Sequence, residues 1–167
     1  MNRKLTYSAM ITAFAVILSY VESIIPLNTG IPGVKLGLAN FAILFALYYI
    51  GAKEAVIINL VRILIVGFMF GNVISIAFSI TGAMISFIIM WLLKKTNLFS
   101  VISVSVAGGV SHNIGQMLIA VFIVDNYTVL YYIPVLIVSG IITGAVIGVL
   151  VKLLDKRIGK ILSSEEL

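Results

Sequence analysis

Between residues 108 and 120 the chain reads GGVSHNIGQMLIA, and three of those side chains could do chemistry. His112 is the single histidine of the sequence. Its imidazole can donate, accept or bind a proton near neutral pH. Asn113 and Gln116 add amides that both donate and accept. On a helix, Gln116 lies one turn beyond His112 on the same face. All three stand within the uncharged stretch 98–124, which is long enough to cross a bilayer. Polar groups at that depth cost free energy unless they meet partners, so they should face the protein interior or a wet cavity.

Other polar residues extend the pattern. Arg62 interrupts the apolar run AVIINLVRILIVGFMF, where a charge costs at least ~2.5 kcal/mol by insertion scales. Glu22 stands near the end of the first apolar run, and Lys35 and Asn40 flank the start of the second. Asn72 closes the third. The expected substrate-binding set is Glu22, Lys35, Asn40, Arg62, Asn72, His112, Asn113 and Gln116. Lys35, Arg62 and a titratable His112 outnumber Glu22, so an anionic or carboxylate-bearing ligand is favoured. Each residue also has a plain structural use. Amides tie helices together, Glu22 can neutralise Lys35 or Arg62, and a lone histidine can be a satisfied buried residue.

The elements that position these residues follow from composition. The 167 residues are 62% hydrophobic and 10% charged, against about 25% charged in a soluble domain. That leaves too little polar surface for a water-soluble particle, and the expected class is an all-α membrane protein forming a single integral membrane domain. The absence of cysteine excludes disulfides, thiolate metal sites and cysteine nucleophiles. The net charge of +5 is scattered in ones and twos, which suits membrane topology and not nucleic-acid binding. No catalytic residue, metal or cofactor is expected.

Six transmembrane helices are read at about 5–25, 36–50, 55–70, 73–93, 98–124 and 129–154. The first resembles a signal peptide but lacks a small-residue cleavage site, and reads as an uncleaved helix. Lys53 and Glu54 are expected to form a tight turn after Gly51. With the N-terminus inside, cytoplasmic segments hold Arg3, Lys4, Lys53, Lys94, Lys95, Lys152, Lys156, Arg157 and Lys160, and the outer segments hold Lys35 alone. Both termini are therefore expected in the cytoplasm, with the protein multi-pass in the cell membrane. Every site residue except Arg62 then falls toward the outer half, which suggests a pocket opening outward. The linker NTGIPGVKLGLAN could roof it. Small residues four apart, Gly140-Gly144-Gly148 and Gly67-Gly71, suit close helix packing, and Ala9-Ala13 could receive a partner protein. Tyr127, Tyr131 and Tyr132 suit an outer interfacial belt, and Trp91 an inner one.

IPGVKLGLAN, the GN of FMFGN, MWLLKK and GGVSHNIGQ followed by LYYIPVLIVSGIITG resemble the Gx transporter family, also named heptaprenyl diphosphate synthase component I. That family is similar to the S components of energy-coupling factor (ECF) transporters. The resemblance implies a six-helix ECF S-component-like bundle that binds a small-molecule substrate at its outer face. It implies docking through Ala9 and Ala13 on a scaffold transmembrane subunit driven by two ATPase subunits, followed by toppling in the lipid bilayer and inward release. The chain carries no G-x-x-x-x-G-K-[ST], so ATP would be handled by partners. The family's other name implies a different role, a membrane accessory of a prenyl synthase or of an isoprenoid- or quinone-linked redox system. Prenyl diphosphate synthesis needs aspartate clusters to hold magnesium against diphosphate. Asp125 and Asp155 are the only aspartates, far apart in the chain, so that catalysis would belong to another subunit. A purely structural membrane subunit is the third alternative.

Overall fold

The computed structural model describes residues 3–24, 37–125 and 127–155. Six α-helices follow one another: α1 (Arg3–Ile24), α2 (Leu38–Tyr49), α3 (Ala52–Phe70), α4 (Val73–Thr96), α5 (Val101–Val124) and α6 (Ile133–Leu154). A 3₁₀ turn, Tyr127–Tyr132, precedes α6. No strand occurs among the described residues. Lys35, the linker around it and the basic tail beyond 155 lie outside the described residues.

The helix ends follow local chemistry. Ser100 caps α5, its hydroxyl accepting the Ser103 N–H at 3.2 Å, so the helix starts three residues later than the apolar run. Lys94 and Lys95 complement the carbonyl end of α4, which runs on to Thr96 and stops at Asn97 in the left-handed region. Lys53 and Glu54 are not a turn. They form the first turn of α3, where Glu54 suits the positive end of the helix dipole and Gly51, at φ 147°, makes the break alone. The run expected to start helix 6 at 129 is instead the 3₁₀ turn, with Pro134 opening α6 where a missing N–H costs nothing.

Four helices are long and apolar enough to cross a bilayer: α1, α4, α5 and α6 with its preceding turn. At 12 residues α2 is about 18 Å long. α3 has the length but carries Lys53, Glu54 and Arg62.

Packing closes a ring in the order α2, α3, α4, α5, α6, with α6 returning to α2 and α1 lying against α2 and α3. The tightest seam joins α5 to α6. A Cβ on Gly109 would sit 2.5 Å from the Gly140 carbonyl oxygen, and one on Gly144 or Gly148 would sit 2.7 Å from a Cα of α5. Only hydrogen fits there, which lets the two backbones touch. Gly67 of α3 leaves room for the Ile76 side chain of α4.

The apolar core gathers around α2, where Ile43, Leu44 and Leu47 meet Ala15, Ile58, Phe87, Val104 and Ile147. Because α2 is half the length of α4 and α5, this core fills one end of the bundle. The other end is left unfilled, and a cavity stands there.

Candidate functional site

The cavity has a volume of about 240 Å³. It lies at the end of the bundle where α1, α3 and α5 finish and α2, α4 and α6 begin. Its wall takes Ser19, Glu22 and Ser23 from α1, and Arg62, Val66, Gly67 and Phe70 from α3. Ser75 and Ser79 come from α4, Gly109, His112, Asn113 and Gln116 from α5, and Thr143 from α6. Gly37, Ala39 and Asn40, at the start of α2, form the floor. Ser23, Phe70 and Gly71 are exposed and mark the rim.

Six of the eight proposed substrate-binding residues therefore converge: Glu22, Asn40, Arg62, His112, Asn113 and Gln116. Lys35 lies outside the described residues. Asn72 is not among the residues lining the cavity; it caps α4. Its side-chain oxygen accepts the Ser75 N–H at 2.8 Å while the Ser75 hydroxyl accepts the Asn72 N–H at 2.9 Å, which is a capping box at the start of α4. Five lining hydroxyls were not foreseen: Ser19, Ser23, Ser75, Ser79 and Thr143. Their signal was helical spacing, since Ser19 precedes Glu22 by about one turn and Ser75 precedes Ser79 by one.

Local bonds hold the wall in place. The Asn113 amide donates to the Leu136 carbonyl at 2.8 Å, tying α5 to α6 at the cavity's edge. Arg62 donates through one Nη to Asn59 Oδ1 at 2.5 Å and through the other, at a long 3.4 Å, to the Ser19 hydroxyl. Its Nε is buried and has no hydrogen-bond partner. Such a donor keeps unspent capacity beside the cavity. α4 comes close because Gly82 has no side chain; a Cβ there would lie 2.8 Å from both the Gln116 Cγ and the His112 carbonyl oxygen.

The short helix α2 brings its dipole into play. Its N-cap, Gly37, has φ 71° and supplies no side-chain cap. The Glu22 carboxylate, reaching from α1, accepts the Gly37 N–H at 2.5 Å instead. At the far end Lys94 Nζ donates to the Leu47 carbonyl and sits 4.8 Å from the Tyr48 ring centroid. An anion thus meets the positive end of α2 and a cation its negative end, each arrangement worth about 0.3–1 kcal/mol and more where water is excluded.

The lysine end of the bundle is built differently. Lys95 lies 5.4 Å from the Trp91 ring centroid. The Tyr49 hydroxyl donates to Asp155 Oδ1 at 2.5 Å. Among the described residues no group of three His, Cys, Asp or Glu side chains could hold a metal ion.

Ala9 and Ala13 are exposed, on the side of α1 turned away from the bundle, while Ala15 and Ser19 face inward. Met10, Phe14 and Ile17 are exposed with them.

Comparison with known proteins gives one result on family and none on close relatives. No curated protein and no solved structure matches the chain. A family model described as heptaprenyl diphosphate synthase component I matches residues 11–154, the greater part of the sequence and every helix that lines the cavity, and the chain belongs to that family.

Proposed function

We propose that this protein is the substrate-binding membrane subunit of an ECF-type importer, capturing a small anionic molecule at the outer face of the cell membrane. In this reading α3 crosses the membrane beside the four long helices with an apolar face turned to lipid, the short α2 is buried among the others, and both termini face the cytoplasm. The observation that carries this reading is the polar cavity at one end of an otherwise apolar bundle. Its position supports an outward mouth, because Lys53, Lys94, Lys95 and Lys152 all stand toward the opposite end. Its size, about 240 Å³, falls just under the ~300–1,000 Å³ of sites for drug-sized ligands, which suits a small metabolite. Arg62 with its unpartnered Nε supports an anionic group on that ligand.

Energy would come from a scaffold subunit carrying two ATPase subunits, docked on α1 through Ala9 and Ala13. A small-residue patch allows a foreign helix to approach its backbone closely. The test is co-purification after gentle extraction, with native mass spectrometry of the captured complex. We expect a membrane scaffold subunit to accompany the wild-type protein, and Ala9→Leu or Ala13→Leu to reduce that association at least about tenfold without lowering the melting temperature. A scaffold that stays bound to both variants rules out the docking site.

A second reading has the family match in its favour. The family's name suggests a membrane component that works with a catalytic synthase subunit. A chain of seven isoprene units would call for a far larger and apolar chamber, so any such role would run through contact with that subunit and not through holding the product in this cavity. Adding the purified protein to a prenyl diphosphate synthase should then change product yield or chain length, and under the transport reading it changes neither.

A further inference from the structure

We propose that Glu22 is a placeholder for the ligand: its carboxylate holds the position between the first turn of α2 and Arg62 that the ligand's carboxylate or phosphate takes, and the two exchange on binding. The inference rests on the transport reading only for the claim that the cavity receives a ligand.

The floor of the cavity is the start of α2, a 12-residue helix whose cap residue, Gly37, contributes no side-chain acceptor. Its main-chain donors point where an anion is favoured, and a carboxylate is already there: Glu22 accepts the Gly37 N–H. This anion arrives from a different helix, fifteen residues earlier in the chain, so the local turn does not dictate it. Independently, Arg62 lines the same cavity with a buried Nε that no group satisfies, and its Ser19 contact is long at 3.4 Å. Glu22 and Arg62 line the same cavity. The cavity therefore offers an anion a helix terminus on one side, now held by a carboxylate, and a guanidinium with a spare donor on another.

A second anion added beside Glu22 would meet like-charge repulsion that the surrounding protein screens less than bulk water would. Exchange removes that cost. The incoming group takes the Gly37 N–H and Arg62 together, and Glu22, next to the rim residue Ser23 near the end of α1, swings out toward water. Glu22 is then a residue that tunes affinity downward. A direct ligand contact would do the reverse, and this opposite sign makes the proposal testable.

The experiment is chemical rescue in detergent, read as melting temperature against added acetate or inorganic phosphate, with chloride at matched ionic strength as control. Glu22→Ala is expected to melt below wild type and to regain stability saturably with acetate or phosphate. Half of that effect should come at a concentration at least about tenfold lower than any response of the wild type. Glu22→Gln, which keeps an acceptor for Gly37 without the charge, should respond between the two, and it carries the comparison if the alanine variant cannot be recovered. Adding Arg62→Gln to either variant should abolish the response. Equal responses in wild type and both Glu22 variants, or a response that survives loss of Arg62, overturn the proposal. If the scaffold subunit co-purifies but rescue fails, the subunit assignment stands and the anion position is wrong; rescue without any scaffold subunit gives the converse.

Discussion

Asn72 shows how a polar residue can stand at the right depth beside a cavity and take no part in it. Depth along a helix was legible from the sequence, but depth does not give the direction a side chain faces. The readable signal was local: Asn72 and Ser75 stand at the spacing of a capping box. Asn72→Ala should therefore lower stability by roughly 0.5–2 kcal/mol and leave Arg62-dependent anion responses unchanged, which thermal melts with and without acetate would check. A shift in anion response would return Asn72 to the site. The converse failure concerns Ser19, Ser23, Ser75, Ser79 and Thr143. Serine and threonine are unremarkable in apolar helices because their hydroxyls can turn back to a carbonyl one turn earlier, as Ser19 does to Ala15 at 2.9 Å and Thr143 to Ser139 at 2.9 Å. Sequence reasoning gave weight to charge and amides, whose burial is costly, and passed over hydroxyls, whose burial is cheap.

At the scale of the helix, the apolar runs placed all six elements, because nothing else satisfies backbone groups in lipid. The disagreements sit where composition is silent on geometry. Tyr127–Tyr132 follows the apolar run into α6 without a break in charge, yet it winds as a 3₁₀ turn, and only Pro134 hinted at the true start of α6. α2 was foreseen as short, but the consequence of its length was not. A helix of about 18 Å in a ring whose α4 and α5 run about 36 Å leaves one end of the bundle unfilled, and the cavity lies there. The spacing of Gly140, Gly144 and Gly148 announced a close seam without naming the partner, which is α5. Gly140→Leu should drive a side chain into backbone atoms that stand 2.9 Å from a mere Cβ, with a cost at or above the ~1–3 kcal/mol of ordinary overpacking. Loss of the monodisperse peak in size-exclusion chromatography, together with a lowered melting temperature, would register it. A variant indistinguishable from wild type would mean that α5 and α6 do not pack as described.

For the molecule as a whole, the organising fact is an asymmetry between two ends. One end gathers Lys94, Lys95 and Trp91, with Tyr48 and the Tyr49–Asp155 pair, where the lysines sit against aromatic rings. The other gathers neutral polar groups, Arg62 and the Glu22 carboxylate around a cavity. The charge bias was legible because topology is written in lysine and arginine. The chemistry of the ligand was not, since it depends on which side chains share the cavity, and that is fixed by helix rotation. The account stands or falls on the cavity being open to water from outside the cell. Because the chain has no cysteine, a single Ser79→Cys substitution reports this directly when intact cells are treated with a membrane-impermeant, positively charged thiosulfonate. Ser79→Cys should react from the outside, and Ser86→Cys, buried nearer the lysine end on the same helix, should not. Protection of Ser79→Cys in intact cells, with labelling only after the cytoplasmic face is exposed, would contradict the account.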